Sequence, residues 1–217
     1  MIRIVVVDDQ ALVRSGLVLI LNQDPGLEVC GEASDGAEAV HVVKRERPDI
    51  VLMDIRMPGM DGIEATRRIT AAEEPPPVVV LTTYDMDDNV VRALRAGATG
   101  FLLKDDDPQS LVAAVHNAVR GEMPMAGPVV RRMADEFLQR RSGEVDPAAL
   151  DPLSDRERDV MLEVARGFTN LEIAQRLFIS PATVKSHVAS ILLKLGLRSR
   201  SQAIILAYET GLLRPGA

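Results

Sequence analysis

Tryptophan is absent from this 217-residue chain, and 2 tyrosines and 4 phenylalanines complete its aromatic side chains. Leu, Val, Ile and Met must therefore fill whatever cores it forms. Cys30 is the only cysteine, which excludes an intramolecular disulfide. An unpaired thiol suits a reducing compartment, and a small core position is its expected place. His41, His116 and His187 are scattered and suggest no histidine metal site. No stretch approaches the roughly 20 apolar residues that cross a bilayer, and the first residues hold neither a basic segment nor a cleavage site. The expected location is the cytoplasm, with no membrane partner.

Charge is unevenly spread. The first 151 residues carry 16 Lys and Arg against 26 Asp and Glu, and the remaining 66 carry 9 against 6. A weakly basic tail on an acidic body allows nucleic-acid binding by the tail alone. The length suits two domains.

Over the first 120 residues, short β-branched runs alternate with helical patterns, the signature of stacked βαβ units. The spacing predicts strands at 2–7, 27–33, 49–53, 78–82 and 100–103, with helices at 11–22, 36–46, 62–72, 87–96 and 108–120. This order fits an α/β flavodoxin-like fold, a five-stranded parallel sheet of order 2-1-3-4-5. Residues 128–141 read as one amphipathic helix, and 142–152, with Gly and two prolines, as a linker. From residue 152 on the pattern is all-helical, and a small helix-turn-helix domain of four helices is expected. Ser154 with Glu157 and Thr169 with Glu172 are spaced as capping boxes, and Ser180-Pro181 opens a third helix. The expected division is 1–120, 121–151 and 152–217.

Four of the predicted strands end on chemically distinctive residues: Asp8 and Asp9, Asp54, Thr82, and Lys104. In a parallel sheet all five side chains gather at the carboxyl edge, where such sheets bind ligands. Three carboxylates, a hydroxyl and an ammonium suit a divalent cation and a phosphoryl group. Mg²⁺ takes oxygen ligands from one or two carboxylates, waters and phosphate, and a carboxylate in that setting can attack phosphorus. Alternatively, the acids form a solvated turn and Lys104 is their structural partner.

These five positions, with Met57-Pro58-Gly59-Met60-Asp61-Gly62 after Asp54, resemble the receiver domain of two-component response regulators. The resemblance implies that Asp54 is the phosphoacceptor, with a sensor histidine kinase as donor. It also implies that Asp9, Asp54 and the Arg56 carbonyl ligate Mg²⁺ directly, with Asp8 acting through water. Thr82 then matches the switch hydroxyl and Phe101 the switch aromatic. Arg56 and Tyr84 match positions that tune phosphoryl lifetime. Asp105 stands where many receivers have proline, so the cis peptide expected with proline is not implied.

In the tail, Val184, Val188, Ile191, Leu192 and Leu195 recur at helical spacing and predict one buried face for the helix from Pro181. Turning 100° per residue puts Ala182, Thr183, Ser186, Ala189 and Ser190 opposite, flanked by Lys185 and His187. Small, acid-free faces admit a helix to the major groove, while Lys185 and Lys194 reach phosphate or a guanine edge. The stretches at 153–157, 169–174, 180–187 and 194–197 resemble the LuxR/FixJ-type DNA-binding domain, and the whole chain resembles the NarL/FixJ subfamily. That resemblance implies promoter DNA as partner, contacted through Asn170, Thr183, Lys185, Ser186, Ala189, Ser190 and Lys194. It also implies a homodimer formed through the last helix, with RNA polymerase as a further partner. The protein is then not an enzyme, beyond accepting the phosphoryl group and catalysing its own dephosphorylation.

Three other readings compete. A haloacid-dehalogenase-like phosphatase needs a second acid two residues after the nucleophile, where this chain has Arg56. A flavodoxin-like FMN carrier would meet strand-end acids at its phosphate. A regulator that binds DNA without phosphorylation would have no use for the complete acidic cleft.

Overall fold

The computed structural model describes residues 1–82, 89–104, 107–122 and 147–213, which divide into an amino-terminal and a carboxy-terminal compact unit. The first holds β1 (Ile2–Val7), α1 (Ala11–Leu21), β2 (Leu27–Ala33), α2 (Gly36–Glu46), β3 (Ile50–Asp54), α3 (Gly62–Ile69), β4 (Val78–Thr82), α4 (Asn89–Arg95), β5 (Gly100–Leu103) and α5 (Pro108–Val119). Every strand pairs in parallel, in the order β2-β1-β3-β4-β5, as the alternating pattern predicts.

Both sheet faces are covered, which explains why β3, β4 and most of β1 are near-continuously apolar rather than alternating, whereas the edge strand β2 carries exposed glutamates. Side chains still alternate in destination. Ile4 and Val6 join Leu17, Leu21, Leu111 and Val115 in a core that α1 and α5 share, whereas Val5 and Val7 join Val42, Ala65 and Ile69 under α2 and α3. Cys30 packs against the second core and is half-buried, so the core position expected for it lies at the margin.

Local chemistry sets the helix starts. Asp35, Asp61 and Asp107 each accept backbone N–H bonds from the first turn that follows them, caps that satisfy otherwise orphaned amides. Asp61 thereby explains the end of the 57–62 motif, and Gly59 supplies its left-handed turn at φ +75°. Helix α3 stops at Ile69, three residues short of the expectation, because 71 and 72 close single turns ahead of Pro75-Pro76-Pro77. Strand β3 runs one residue later than expected and takes in Asp54 itself.

The second unit holds a 3₁₀ turn (Pro147–Leu150), α6 (Asp155–Ala165), α7 (Asn170–Leu177), α8 (Pro181–Lys194) and α9 (Arg200–Glu209). Both expected capping boxes are formed, and Ser180 caps α8 with Pro181 at its first position. Helix α6 packs on α8 and α9, and α7 on α8. Leu150 is buried, so the last part of the expected linker belongs to packed structure. The helix expected at 128–141, the rest of that linker, Tyr84 and Asp105 lie outside the described residues.

Candidate functional site

Parallel strands deliver their carboxyl ends to one edge, and the side chains there meet. Asp8 follows β1, Asp54 ends β3, Thr82 ends β4 and Lys104 follows β5. One carboxylate oxygen from each of Asp8, Asp9 and Asp54 lies within 4.8 Å of the other two. The Lys104 ammonium stands 2.7 Å from Asp8 Oδ2 and 2.8 Å from Asp54 Oδ2. Asp8 is fully buried and Asp54 nearly so, while Asp9 is exposed at the mouth. Thr82 is half-buried, and its carbonyl accepts the Lys104 backbone N–H at 2.8 Å. Phe101 is completely buried in β5, opposite Val80. Arg56 is exposed beside Asp54.

Burial raises the Asp54 pKa above the ordinary aspartate value; the Lys104 ammonium works against that rise, and the Asp8 charge adds to it. For Lys104, burial alone would favour the neutral amine. Its bonds to Asp54 and Asp8 outweigh burial and hold its pKa above the ordinary lysine value. Asp8 Oδ1 accepts the Gln10 N–H at 2.9 Å, while Asp8 Oδ2 faces the Lys104 ammonium at 2.7 Å. Two buried carboxylates thus share one cation, with the Asp9 carboxylate beside them. Three carboxylates with mutually close oxygens make an all-oxygen donor set, which fits a hard divalent cation.

The second unit presents the outer face of α8. Ala182, Thr183, Lys185, Ser186 and Ala189 are exposed, and Val184 and Ile191 anchor the opposite side. His187 is half-buried, and Leu193 is 84% exposed, as its place on the helix predicts. Two of the residues expected to contact DNA are instead paired within the unit, Ser190 half-buried and Lys194 still exposed. Ser190 Oγ donates to Glu157 Oε1 at 2.6 Å, and Lys194 Nζ bonds Glu157 Oε2 at 2.7 Å. The reason is geometric: positions 190 and 194 are four apart and stack on one side of α8, where the buried carboxylate on α6 needs donors. Asn170 is also occupied, since its Oδ1 accepts from Arg200 at 2.8 Å.

The capping-box role of Glu157 is legible from spacing, but its grip on α8 is not. No local signal connects residues 33 and 37 positions apart. Lys194 first, then Ser190 and the Ser154 amide, hold the Glu157 pKa far below the ordinary glutamate range. A depressed folded-state pKa gives stability that is fully present above the unfolded value, near 4.5, and lost as pH falls through the folded one. Glu157→Gln is therefore expected to cost about 1.5–3 kcal/mol at pH 7. In guanidinium unfolding of this unit, the gap to wild type should shrink below about pH 4. A gap independent of pH would remove the ion pair as its cause.

Similarity to known proteins follows the same division. Residues 4–116 match the response regulator receiver domain family, and residues 151–207 match the bacterial regulatory proteins of the luxR family. Transcriptional regulatory protein LiaR of Bacillus subtilis (strain 168) is 39% identical across 98% of this chain and 100% of its own. The uncharacterised transcriptional regulatory protein YxjL of the same strain is 37% identical across 98% of both chains. Among solved structures, the response regulator ChrA of a heme-sensing two-component system shares 36% identity over 98% of both chains, with a TM-score of 0.54.

Proposed function

The chain belongs to the two-component response regulators that join a receiver domain to a LuxR-type DNA-binding domain, and we propose that its switch is transfer of a phosphoryl group from a sensor histidine kinase to Asp54. The observation that carries this reading is the convergence of Asp8, Asp54 and Lys104 at one sheet edge. We place the receiver at 1–120, the connecting segment at 121–151 and the DNA-binding domain at 152–217.

An Asp54 carboxylate oxygen attacks phosphorus as the bond from phosphorus to the kinase histidine nitrogen breaks, leaving an acyl phosphate on Asp54. Lys104 already spans Asp8 and Asp54, so its ammonium lies close to where charge builds on the phosphoryl oxygens and has only a short distance to move to meet it. Thr82 closes the neighbouring strand and offers its hydroxyl to a phosphoryl oxygen. Asp8, Asp9, Asp54 and the Arg56 carbonyl would hold Mg²⁺, which when bound supplies further positive charge to those oxygens. Drawing Thr82 and Lys104 toward the phosphoryl group repacks β4 and β5 around Phe101, and that displacement signals onward. The aspartyl-phosphate is then lost by the receiver's own catalysis of hydrolysis.

For the output, Thr183, Lys185, Ser186 and Ala189 face the DNA, and the exposure of all four supports this. Lys194, Ser190 and Asn170 first serve the integrity of the domain. So few free cations on α8 imply modest affinity per monomer, which favours a homodimer reading two half-sites, with the α9 surface as its contact and RNA polymerase as a further partner. Among the described residues no helix is long and apolar enough to cross a membrane, which is compatible with the cytoplasm as its place.

Selecting genomic fragments bound with and without acetyl phosphate tests the whole reading. Fragments should be enriched in a donor-dependent way, and Lys185→Ala should bind them about tenfold more weakly, the scale of one lost groove contact. Equal recovery without donor would reject the switch.

A further inference from the structure

Arg14 lies outside the acidic cleft yet holds its frame. From α1, its side chain is only 19% exposed and Nε pairs with Glu32 Oε2 on β2 at 3.1 Å. Its terminal nitrogen donates to the backbone carbonyl of Asp8 at 2.7 Å. The rest of Asp8 is fastened separately: its N–H donates to the Ala33 carbonyl at 3.1 Å and its Oδ1 accepts the Gln10 N–H at 2.9 Å.

The Asp8 carbonyl belongs to the same rigid peptide plane as the Asp9 N–H. Holding that carbonyl therefore fixes the plane that carries the Asp9 Cα, the point from which its side chain departs. Asp9 is the exposed member of the acid trio, and no bond among the described residues is shown for its carboxylate. Its position thus depends on the backbone that carries it.

We propose that Arg14 is a positioning residue for cation binding, one that orients Asp9 by clamping the Asp8–Asp9 peptide between α1 and β2. The proposal rests on the Mg²⁺ reading of the cleft. A guanidinium suits this role because Nη1 reaches the Asp8 carbonyl while Nε reaches the Glu32 carboxylate, two donor directions held in one rigid plane that a point-like ammonium does not reproduce.

The sign of the effect separates positioning from charge. A nearby cation repels Mg²⁺, so if Arg14 acted only through its charge, removing it would tighten binding. Positioning requires the opposite. In calorimetric titration of the full chain with MgCl₂ and no phosphodonor, Arg14→Gln is expected to weaken binding about tenfold or more, the range found for groups that orient metal ligands. Arg14→Lys should fall between Gln and wild type. Asp9→Asn combined with Arg14→Gln should lose less than the product of the two single losses, because both act through one carboxylate.

Unchanged or tighter binding by Arg14→Gln would overturn the proposal, and so would multiplicative losses in the double variant, which a merely destabilised fold would produce. Failure of the wild-type chain to bind Mg²⁺ would overturn the reading of the cleft itself, and this proposal with it.

Discussion

Asp54→Asn is expected to take no phosphoryl label from acetyl phosphate above background, while remaining folded. An amide oxygen is no nucleophile toward phosphorus, yet Asn keeps the shape of Asp and can still accept from Lys104, whose ammonium lies 2.8 Å away. The substitution also leaves the buried Asp8 as the sole carboxylate of the pair on that ammonium, which removes a like-charge repulsion. The thermal midpoint without metal should accordingly stay level or rise. Radiolabelled donor and a melting curve on the same preparation check both halves. Label persisting on the variant would mean that Asp8 or Asp9 attacks phosphorus, and the assignment of Asp54 would fail.

The second large effect concerns a residue with no chemistry of its own. A Cβ added at Gly62 would stand 1.8 Å from the Asp54 carbonyl oxygen, 2.8 Å from the Asp54 carbonyl carbon and 3.1 Å from Ile55 Cα. All three are backbone atoms, so no side chain can swing away. The close approach exists because the Gly62 N–H donates to the Ile55 carbonyl at 2.9 Å, drawing the start of α3 onto the strand that carries Asp54. Overpacking costs about 1–3 kcal/mol where side chains can yield, and Gly62→Ala is expected at or above the top of that range. The receiver's melting temperature should drop by on the order of 10 °C. Phosphorylation should slow as well, since the clash displaces Asp54. Gly16→Ala is the control: it lies inside α1 with nothing within 4 Å of the added methyl, and should be neutral or stabilising by about 0.5–1 kcal/mol. Equal melting of the two variants would show that α3 can shift freely, and the steric argument would fall.

These cases differ in how far local sequence foretold them. Asp54 is legible because a near-continuous apolar run ending in a carboxylate marks a central strand. The 62–72 helix pattern locates Gly62 at a helix start, but only the packing of α3 on β3 shows that no methyl fits there. Of the five-residue α8 stripe, Val184 and Ile191 are buried while Val188, Leu192 and Leu195 are half-buried; Lys185 and Ser186 are exposed, but Ser190, outward on an ideal wheel, is claimed by a buried acid on another helix. Asp35, Asp61 and Asp107 each stand one residue before a helix, so the caps of α2, α3 and α5 are legible from residue type and position.

What the amino-acid order determined by itself was strand and helix identity and the capping boxes, through short-range periodicity and steric rules; the regular alternation of strands with helices then implied a parallel sheet with its strand ends at one edge. What tertiary structure alone decided were pairings between distant side chains that no strand-end pattern announces, namely Lys194 with Glu157, and Arg14 with the Asp8 carbonyl and Glu32. The division has a physical cause. Backbone geometry repeats every two or 3.6 residues and leaves a readable pattern, whereas a buried charge takes whichever partner the packed elements bring within reach.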